Sequence, residues 1–334
     1  MENIRELTAK QIFMEYIHKM KKSVHPVIYR NGQYPNHSLS EGSFSKGQEV
    51  IKHYIKSDSP AMLARFGSVE LSAFCNWLQV KNKMEQDYAY SDIRYIKDQC
   101  FPDWYCIGTR RSMQNQAGFF SVCRKELDKW GRLVEKDIGY IDLLFTWQDM
   151  EKYICSYLNG IPRVLNSEMY WPYNFQNPWS CELEGRKVLV ISPFAETIRK
   201  QYQKREKLFQ NKKVLPAFSL RTIRAVNILG KVRHKGISSW FDALELMKKQ
   251  MDKEDYEIAL IGCGAYAFHL AAHAKRCGKK AITLCGSLQV LFGIYGARYE
   301  RYLKEKGILN EFWVRPGEQE RPEGYQNVEN GAYW

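Results

Sequence analysis

The side chains best suited to chemistry follow short apolar runs that have the composition of buried strands. Arg65 lies at the end of one such run, at residues 61–66, and Gly67, Ser68 and Glu70 follow it. A guanidinium such as that of Arg65 can bind a diphosphate through two parallel hydrogen bonds. Glu70 could hold a divalent cation that bridges the same diphosphate. The structural alternative is an Arg65–Glu70 ion pair, with Ser68 capping the next helix.

A glycine-rich turn follows a second apolar run, at residues 256–261. It contains Gly262, Gly264, Ala265 and Tyr266, between a predicted strand and a predicted helix. Glycines let a ligand approach the backbone, and a helix N-terminus favours phosphate. The alternative is a tight turn required by packing. The next predicted strand ends without the carboxylate of a dinucleotide site, which argues against a nicotinamide cofactor.

Polar residues also follow that next strand, at residues 281–284. Gly286 allows close approach of a ligand, and Ser287 and Gln289 offer side-chain hydrogen bonds. Arg298 lies further along the same rim. Ligands of open α/β sheets bind beyond the carboxyl ends of the strands, so we expect these residues to extend one binding site.

Three further charged residues follow predicted strands. Glu196 falls in the first turn of the helix after residues 187–191, where the helix dipole stabilises a carboxylate. It is also the candidate general base for a transfer that inverts the reacting carbon. Arg110 and Arg111 follow a predicted strand at residues 104–107 and could neutralise a diphosphate.

Two groups of residues favour packing over chemistry. His269 and His273 are four residues apart on an alanine-rich helix, and the sequence offers no evident third metal ligand, so we predict packing residues. The aromatic loop at residues 170–179 offers Trp171, Tyr173 and Trp179 to stack on a sugar ring. Anchoring of this long loop to the core is the favoured interpretation.

The elements that carry these residues alternate between strand and helix. This alternation predicts a Rossmann-like α/β fold with a mostly parallel sheet, helices on both faces and an N-terminal helical extension. We assign residues 1–58 to the extension and 59–334 to the α/β domain. A division into two halves near residue 182 and one continuous sheet remain equally open. Because parallel strands end at one edge, Arg65 and Glu70 should share a crevice with the Gly262 turn.

Charge and cysteine content narrow the class of protein. The formal net charge of +13 favours anionic partners, but the basic residues are dispersed, so we expect no nucleic-acid partner. The nine cysteines include no CxxC pair, which indicates reduced thiols and argues against a structural zinc site. We find no signal peptide and no apolar run of roughly 18 residues. A cytoplasmic location is expected. The amphipathic N-terminal helix is favoured as a packing helix, and its basic face leaves peripheral contact with the inner membrane surface as the alternative.

Residues 61–70 resemble the start of bacterial GT-D-type glycosyltransferases. Those enzymes have a strand ending in Arg-hydrophobic-Gly, followed by an Asp-x-Glu that binds a divalent metal and the sugar nucleotide. This chain has Ser68 where the motif has Asp, and it retains Glu70. The segments at 177–179 and 286–293 and the terminal Tyr333-Trp334 are similar to proteins encoded with surface-polysaccharide genes. The resemblance spans roughly residues 60–334.

The resemblance implies a nucleotide-diphosphate sugar as donor and a bacterial surface glycan or glycolipid as acceptor. It also implies a divalent cation, manganese or magnesium, with Glu70 as a ligand. The departure at Ser68 leaves open a metal-independent enzyme in which Arg65, Arg110 or Arg111 neutralises the diphosphate. It also leaves open a non-catalytic component of polysaccharide assembly that binds a nucleotide or a glycan.

Overall fold

A single parallel sheet organises the protein. The computed structural model describes residues 7–24, 44–86, 101–120, 122–226, 236–322 and 324–334. Within them the sheet has the strand order β3-β2-β1-β7-β6-β4-β5, and every pairing is parallel. The strands are β1 Ala61–Ala64, β2 Leu143–Thr146, β3 Arg163–Leu165, β4 Lys187–Ser192, β5 Ser219–Arg224, β6 Ile258–Ile261 and β7 Lys280–Thr283.

Helices cover both faces of this sheet, and the predicted Rossmann-like α/β class is confirmed. A ten-residue 3-10 segment, Asp149–Leu158, follows β2. The helices are α1 Ala9–Val24, α2 Phe44–Lys56, α3 Ser68–Gln86, α4 Ile107–Asn115, α5 Arg124–Ile138, α6 Asn166–Tyr170, α7 Ala195–Tyr202, α8 Arg205–Leu208, α9 Trp240–Met251, α10 Ala267–Arg276, α11 Ser287–Leu291 and α12 Ala297–Glu305.

The apolar strands form because they are buried from two sides. All four residues of β1, β2 and β6 are buried, as expected for parallel strands between helix layers. One core cluster contains Phe74 of α3 and Leu270 of α10. The cluster on the opposite face contains Ile198 of α7 and Leu291 of α11. The helices after β1 and β6 therefore lie on one face, and those after β4 and β7 lie on the other.

The sheet contains strands from both sides of residue 182. Strands β1 to β3 precede that position and β4 to β7 follow it, and β1 pairs directly with β7. Helix α2 lies within the predicted extension, yet its Ile51 and Ile55 are buried in the core. The boundary between residues 58 and 59 stays a prediction.

The prediction of a strand at residues 104–107 is wrong. Trp104 and Tyr105 lie in an irregular segment, and Ile107 begins α4. The side chains of Trp104 and Tyr105 are buried, which explains the apolar pattern. The backbone of this segment is hydrogen bonded to a side chain instead of to a neighbouring strand. The amide of Asn76 donates to the carbonyl oxygen of Trp104 over 2.9 Å.

Two strands are absent from the sequence-based prediction, and both are at the edges of the sheet. Strand β3 has three residues, only one of them buried. Strand β5 has four polar residues among its six and one buried position, Ile223. Edge strands are covered less completely, so their composition is less apolar and their pattern is weaker.

The N-terminal helix α1 packs on one face and exposes apolar side chains on the other. Met14 is buried in a small cluster with Trp104, and the Trp104 indole N–H donates to Glu15 over 3.1 Å. Phe13 and Tyr16 are each 61% exposed, and Met20 is 43% exposed. No helix in the described ranges is long and apolar enough to cross a membrane.

Contact of α1 with an anionic membrane surface stays a prediction. The exposed side chains of Phe13, Tyr16 and Met20 form the surface that would make this contact. Lys19, Lys21 and Lys22 add positive charge near the end of the helix. We expect the double variant Phe13→Ser/Tyr16→Ser to lose about tenfold or more in affinity for anionic vesicles, since burying one such side chain contributes about 1.5–3 kcal/mol.

Cosedimentation with vesicles that contain anionic lipid measures this change. Tyr153→Ser is the matched control, because Tyr153 is 45% exposed elsewhere on the protein. Wild-type protein that remains in the supernatant with these vesicles would contradict the prediction.

Candidate functional site

A cavity of about 1160 Å³, open to solvent, lies at the carboxyl edge of the sheet. The segments that follow β1, β4, β5, β6 and β7 all contribute to its wall. The predicted site residues that line it are Arg65, Gly67, Ser68, Glu70, Gly262, Gly264, Tyr266, Gly286 and Gln289. Arg65 and Glu70 therefore share one crevice with the Gly262 turn, as the parallel topology predicts. Ala265 lines a smaller adjoining cavity of about 400 Å³.

The position of the cavity follows from the topology of the sheet. β1 and β6 lead into helices on one face, whereas their neighbours β7 and β4 lead into helices on the opposite face. Neighbouring connections therefore diverge and leave a crevice between them. Ligands of open α/β sheets bind in this kind of crevice.

Arg65 is a buried cation in the wall of the cavity. Only 8% of the residue is exposed. Its guanidinium carbon lies 4.5 Å from the ring centre of Trp147 and 5.3 Å from that of Tyr170. Its buried Nε has no hydrogen-bond partner among the described residues. The guanidinium thus lies against aromatic faces instead of on a carboxylate, and a buried unpartnered donor is costly unless a ligand accepts its hydrogen bond.

The aromatic rings beside Arg65 are themselves fixed by hydrogen bonds. The Trp147 indole donates to the carbonyl oxygen of Phe66 over 3.0 Å. The Tyr170 hydroxyl is hydrogen bonded to the Tyr299 hydroxyl at 2.7 Å. Burial raises the pKa of Tyr170, so its hydroxyl stays neutral at ordinary pH. The two rings that contact Arg65 are therefore uncharged and held in place before any ligand arrives.

Glu70 lies in the first turn of α3 and provides the only side-chain carboxylate among the described residues that line the cavity. Its side chain folds back over Gly67, where an added Cβ would come within 2.0 Å of Glu70 Oε2. A larger residue at position 67 would therefore displace this carboxylate. Arg65 and Arg298 provide two positive charges in the same lining. The Arg298 guanidinium donates to the Tyr333 hydroxyl over 2.7 Å.

A divalent cation at Glu70 would need the oxygens of a bound diphosphate as further ligands, because the described residues of the lining supply one carboxylate side chain. Sites for such cations combine several oxygen ligands, usually with more than one carboxylate or with substrate phosphates. Here a single carboxylate side chain, that of Glu70, shares the lining with two guanidinium groups. No group of three metal-ligating side chains occurs in this cavity among the described residues. The charges suit an anion.

The glycines of the Gly262 turn are explained by packing. A Cβ at Gly262 would approach the Cys285 carbonyl oxygen to 2.5 Å, and a Cβ at Gly264 would approach the Ala117 carbonyl oxygen to 2.6 Å. The Gly262 N–H donates to Ile191 and the Ala265 N–H donates to Ala117. Two of the amides expected to bind phosphate are therefore already occupied. This is the packing alternative stated above.

We expect Gly264→Ala to destabilise the protein more than Gly118→Ala. Both glycines have left-handed backbone, with φ of +59° and +71°, so each substitution costs about 1–2 kcal/mol in strain. Nothing lies within 4 Å of a Cβ at Gly118, whereas Gly264 adds the clash with Ala117. The clash should add about 1–3 kcal/mol to the loss in free energy of unfolding.

Chemical denaturation of the two variants measures the difference. Equal losses would mean that the Ala117 contact does not constrain the turn.

The residues after β7 have mixed roles. A Cβ at Gly286 would come within 2.1 Å of the Tyr299 hydroxyl, so that glycine also has a packing reason. The Ser287 hydroxyl donates to the Leu284 carbonyl over 2.7 Å, and Ser287 is not part of the cavity lining. Gln289 does line the cavity, and its amide donates to the Tyr333 carbonyl over 3.3 Å. The assignment of Ser287 to ligand binding is thus corrected.

Three other predicted residues lie outside the cavity lining: Glu196, Arg110 and Arg111. Glu196 is half-exposed and pairs with Arg199 at 2.8 Å. The N-terminus of α7 is instead covered by Glu320, whose carboxylate accepts from the Glu196 N–H over 2.7 Å. The buried Arg110 donates to the Tyr105 carbonyl over 3.3 Å. Arg111 is exposed. Arg110 and Arg111 were expected at the site because residues 104–107 were predicted to form a strand, and these residues do not form one.

The cysteines and histidines near the cavity are not reactive groups. Burial raises the pKa of the Cys263 and Cys285 thiols, so neither is a ready nucleophile. His269 is buried, and its Nδ1 is hydrogen bonded to Asp137 at 2.8 Å. Burial lowers the pKa of His269 and outweighs the opposing effect of Asp137. His269 is thus a core residue, as predicted, and His273 lies at a different place, against Asp252.

Several aromatic residues of the cavity were not assigned from the sequence: Trp147, Tyr170, Tyr333 and Trp334. Tyr170 begins the aromatic loop, and Trp171 and Trp179 anchor that loop, which is the interpretation favoured from the sequence. Trp179 is fully buried and donates to the Met169 carbonyl, and Trp171 stacks on Tyr302 at 4.8 Å. Trp147 could have been predicted from the sequence by its position directly after the last residue of β2.

Comparison with known proteins adds little to this geometry. No family model matches the chain, and no curated protein matches it. The chain is similar to a solved structure described as "Selenomethionine substituted structure of domain of unknown function 1792 (DUF1792)". The sequence identity is 12%, the match covers 82% of this chain and 96% of that chain, and the TM-score is 0.30. At that TM-score the likeness carries no argument, so the function must be inferred from the cavity.

Proposed function

We propose that the protein is a glycosyltransferase that moves a sugar from a nucleotide-diphosphate sugar to a bacterial surface glycan or glycolipid. One observation carries the proposal. Arg65 is a buried guanidinium with an unpartnered Nε, in a cavity at the carboxyl edge of a parallel sheet. A diphosphate is the ligand that supplies acceptors to such a group.

The charges of the cavity suit the departure of a nucleoside diphosphate. When the bond between the anomeric carbon and the diphosphate oxygen breaks, negative charge develops on that oxygen. Arg65 and Arg298 lie in the same lining and can stabilise this charge. Arg298, in place of Arg110 and Arg111, is thus the second arginine that we propose to neutralise the diphosphate.

Glu70 is the candidate general base, in place of Glu196, because among the described residues it is the one acidic side chain in the cavity lining. In an inverting transfer the base takes the proton of the acceptor hydroxyl while that oxygen forms a bond to the anomeric carbon. The electron pair of the broken bond leaves with the diphosphate. We therefore propose that Glu70 acts as base and that the arginines stabilise the leaving group, without a cation held by the protein.

The aromatic part of the lining suits the remainder of the donor. Tyr266, Trp147 and Trp334 give the cavity apolar walls beside its charged groups. Bases and sugar rings both have faces that pack on such side chains, and binding sites commonly combine apolar walls with a few polar groups. The nucleotide and the sugar would thus be bound through their ring faces, with the diphosphate near Arg65.

A second candidate is a non-catalytic component of polysaccharide assembly that binds a nucleotide. Two observations favour it: the described lining of the cavity has one acidic side chain, and the position of the motif Asp is Ser68. Such a protein would bind the same ligands without breaking the sugar–phosphate bond. Binding and turnover must therefore be measured separately.

Thermal-shift screening against nucleotides and nucleotide sugars tests the binding step. A ligand at about 100 times its Kd adds about 2.7 kcal/mol of stability. We expect nucleoside diphosphates to stabilise the protein equally with manganese and with EDTA, because no cation is needed. Double-stranded DNA is the comparison, and it should bind more weakly near ~150 mM salt.

Release of nucleoside diphosphate from the best-binding donor then separates the two candidates. Release faster than in a protein-free solution supports the enzyme, and binding without release supports the second candidate. Binding that disappears in EDTA would overturn the metal-independent proposal. DNA binding at that salt with no nucleotide binding would overturn both candidates.

A further inference from the structure

We propose that Asp252, His273 and Cys277 form a zinc site that joins the C-terminal ends of α9 and α10. The site is separate from the cavity, and none of its residues lines that cavity. It is the one group of three metal-ligating side chains in the described ranges whose ligand atoms all lie within 4.8 Å of one another. Nothing in the proposed glycosyl transfer requires it.

Two of the three distances between the ligand atoms are close to those of a tetrahedral site. Cys277 Sγ lies 3.7 Å from His273 Nε2 and 3.8 Å from Asp252 Oδ1. Zinc–ligand bonds of about 2.0–2.3 Å at tetrahedral angles place ligand atoms about 3.3–3.7 Å apart. His273 Nε2 and Asp252 Oδ1 are closer, at 2.7 Å, because they are hydrogen bonded. An ion would replace that hydrogen bond and the thiol proton, with small side-chain movements.

The two helices bring these ligands together without a sequence motif. His273 and Cys277 are four residues apart at the end of α10, so they lie on the same side of the helix. Asp252 is the residue that follows the last turn of α9. Because the third ligand comes from a second helix, the absence of a CxxC pair does not exclude this site.

The electrostatic setting also favours a cation. Both helices end at this point, and the C-terminus of a helix carries partial negative charge. Asp252 adds a full negative charge. Arg276 and Lys279 lie near Cys277 and oppose it, but Arg276 is itself bound to the buried Asp137 at 2.8 Å. Because these opposing charges partly cancel, we expect the site to bind zinc with moderate affinity.

The site is accessible from solvent. Asp252 and Cys277 are exposed, and His273 is partly exposed. An ion can therefore enter, and water can take the fourth position. The expected consequence is a clamp between α9 and α10. At the other end of α9, Trp240 stacks on Tyr266 of the cavity wall at 4.7 Å, so the clamp would also steady the helices beside the cavity.

The test uses the full chain after treatment with a chelator and its removal. Titration with zinc by calorimetry should give about one equivalent per chain, and cobalt should give the charge-transfer absorption of a thiolate ligand. Cys277→Ser, Asp252→Asn and His273→Ala should each weaken zinc binding by about tenfold or more. Cys155→Ser is the matched control, because Cys155 is also exposed but belongs to no such group.

The melting temperature without metal shows whether each variant is folded. Zinc should raise the melting temperature of the wild type and of Cys155→Ser, and it should have little effect on the three ligand variants. Absence of zinc binding by folded wild-type protein would overturn the proposal. So would undiminished binding by Cys277→Ser or by His273→Ala.

Discussion

Glu70→Gln is expected to lower the rate of donor turnover by about 10²–10⁴-fold, the usual contribution of a general base. The substitution keeps the shape of the side chain, which folds back over Gly67. It removes the proton acceptor from the one acidic side chain that the described part of the cavity lining contains. Affinity for the nucleoside diphosphate should change little, because the negative charge of Glu70 does not bind phosphate.

Single-turnover release of nucleoside diphosphate, with a parallel binding titration, separates these two effects. Glu196→Gln is the matched control, because Glu196 is half-exposed, pairs with Arg199 and lies outside the cavity lining. We expect this control to have wild-type turnover. Full activity in Glu70→Gln would remove Glu70 from the mechanism and leave the arginines as the functional groups.

Arg65→Met is expected to raise the Kd for a nucleoside diphosphate by about 10–100-fold. Hydrogen bonds to charged groups contribute about 1.5–3 kcal/mol, and each 1.4 kcal/mol corresponds to about tenfold in Kd. Met has a similar length and keeps the packing against Trp147 and Tyr170. Arg65→Lys should have an intermediate effect, because it keeps the charge but loses the planar fork of donors.

Stability distinguishes a ligand-binding arginine from a structural one. Arg65 is a buried cation whose Nε has no partner, so its replacement by Met should not lower the melting temperature of the ligand-free protein. Calorimetric titration and thermal unfolding measure both quantities, with the exposed Arg111→Met as control. A large loss of stability with unchanged nucleotide affinity would assign Arg65 to the core instead of to the ligand.

Local patterns in the sequence determined the class of the fold and the place of the site. The buried runs at residues 61–66 and 256–261 have enough apolar residues to be identified as strands, and both lead directly into helices. Parallel strands end at one edge, so the proximity of Arg65 and Glu70 to the Gly262 turn follows from topology, although almost 200 residues separate them. Edge strands such as β5 were not predicted, because they are less completely buried and their residues are therefore less apolar.

The tertiary structure alone decided which side chains act together. Trp147 reaches Arg65 because its indole donates to Phe66, 81 residues away, and Glu320 covers the N-terminus of α7 from 124 residues away. These contacts gave Glu196 an ion pair on the surface and left Arg65 between aromatic rings. Periodicity in a sequence records which face of an element is buried. It does not record which distant residue covers that face, because that choice depends on how separate elements pack.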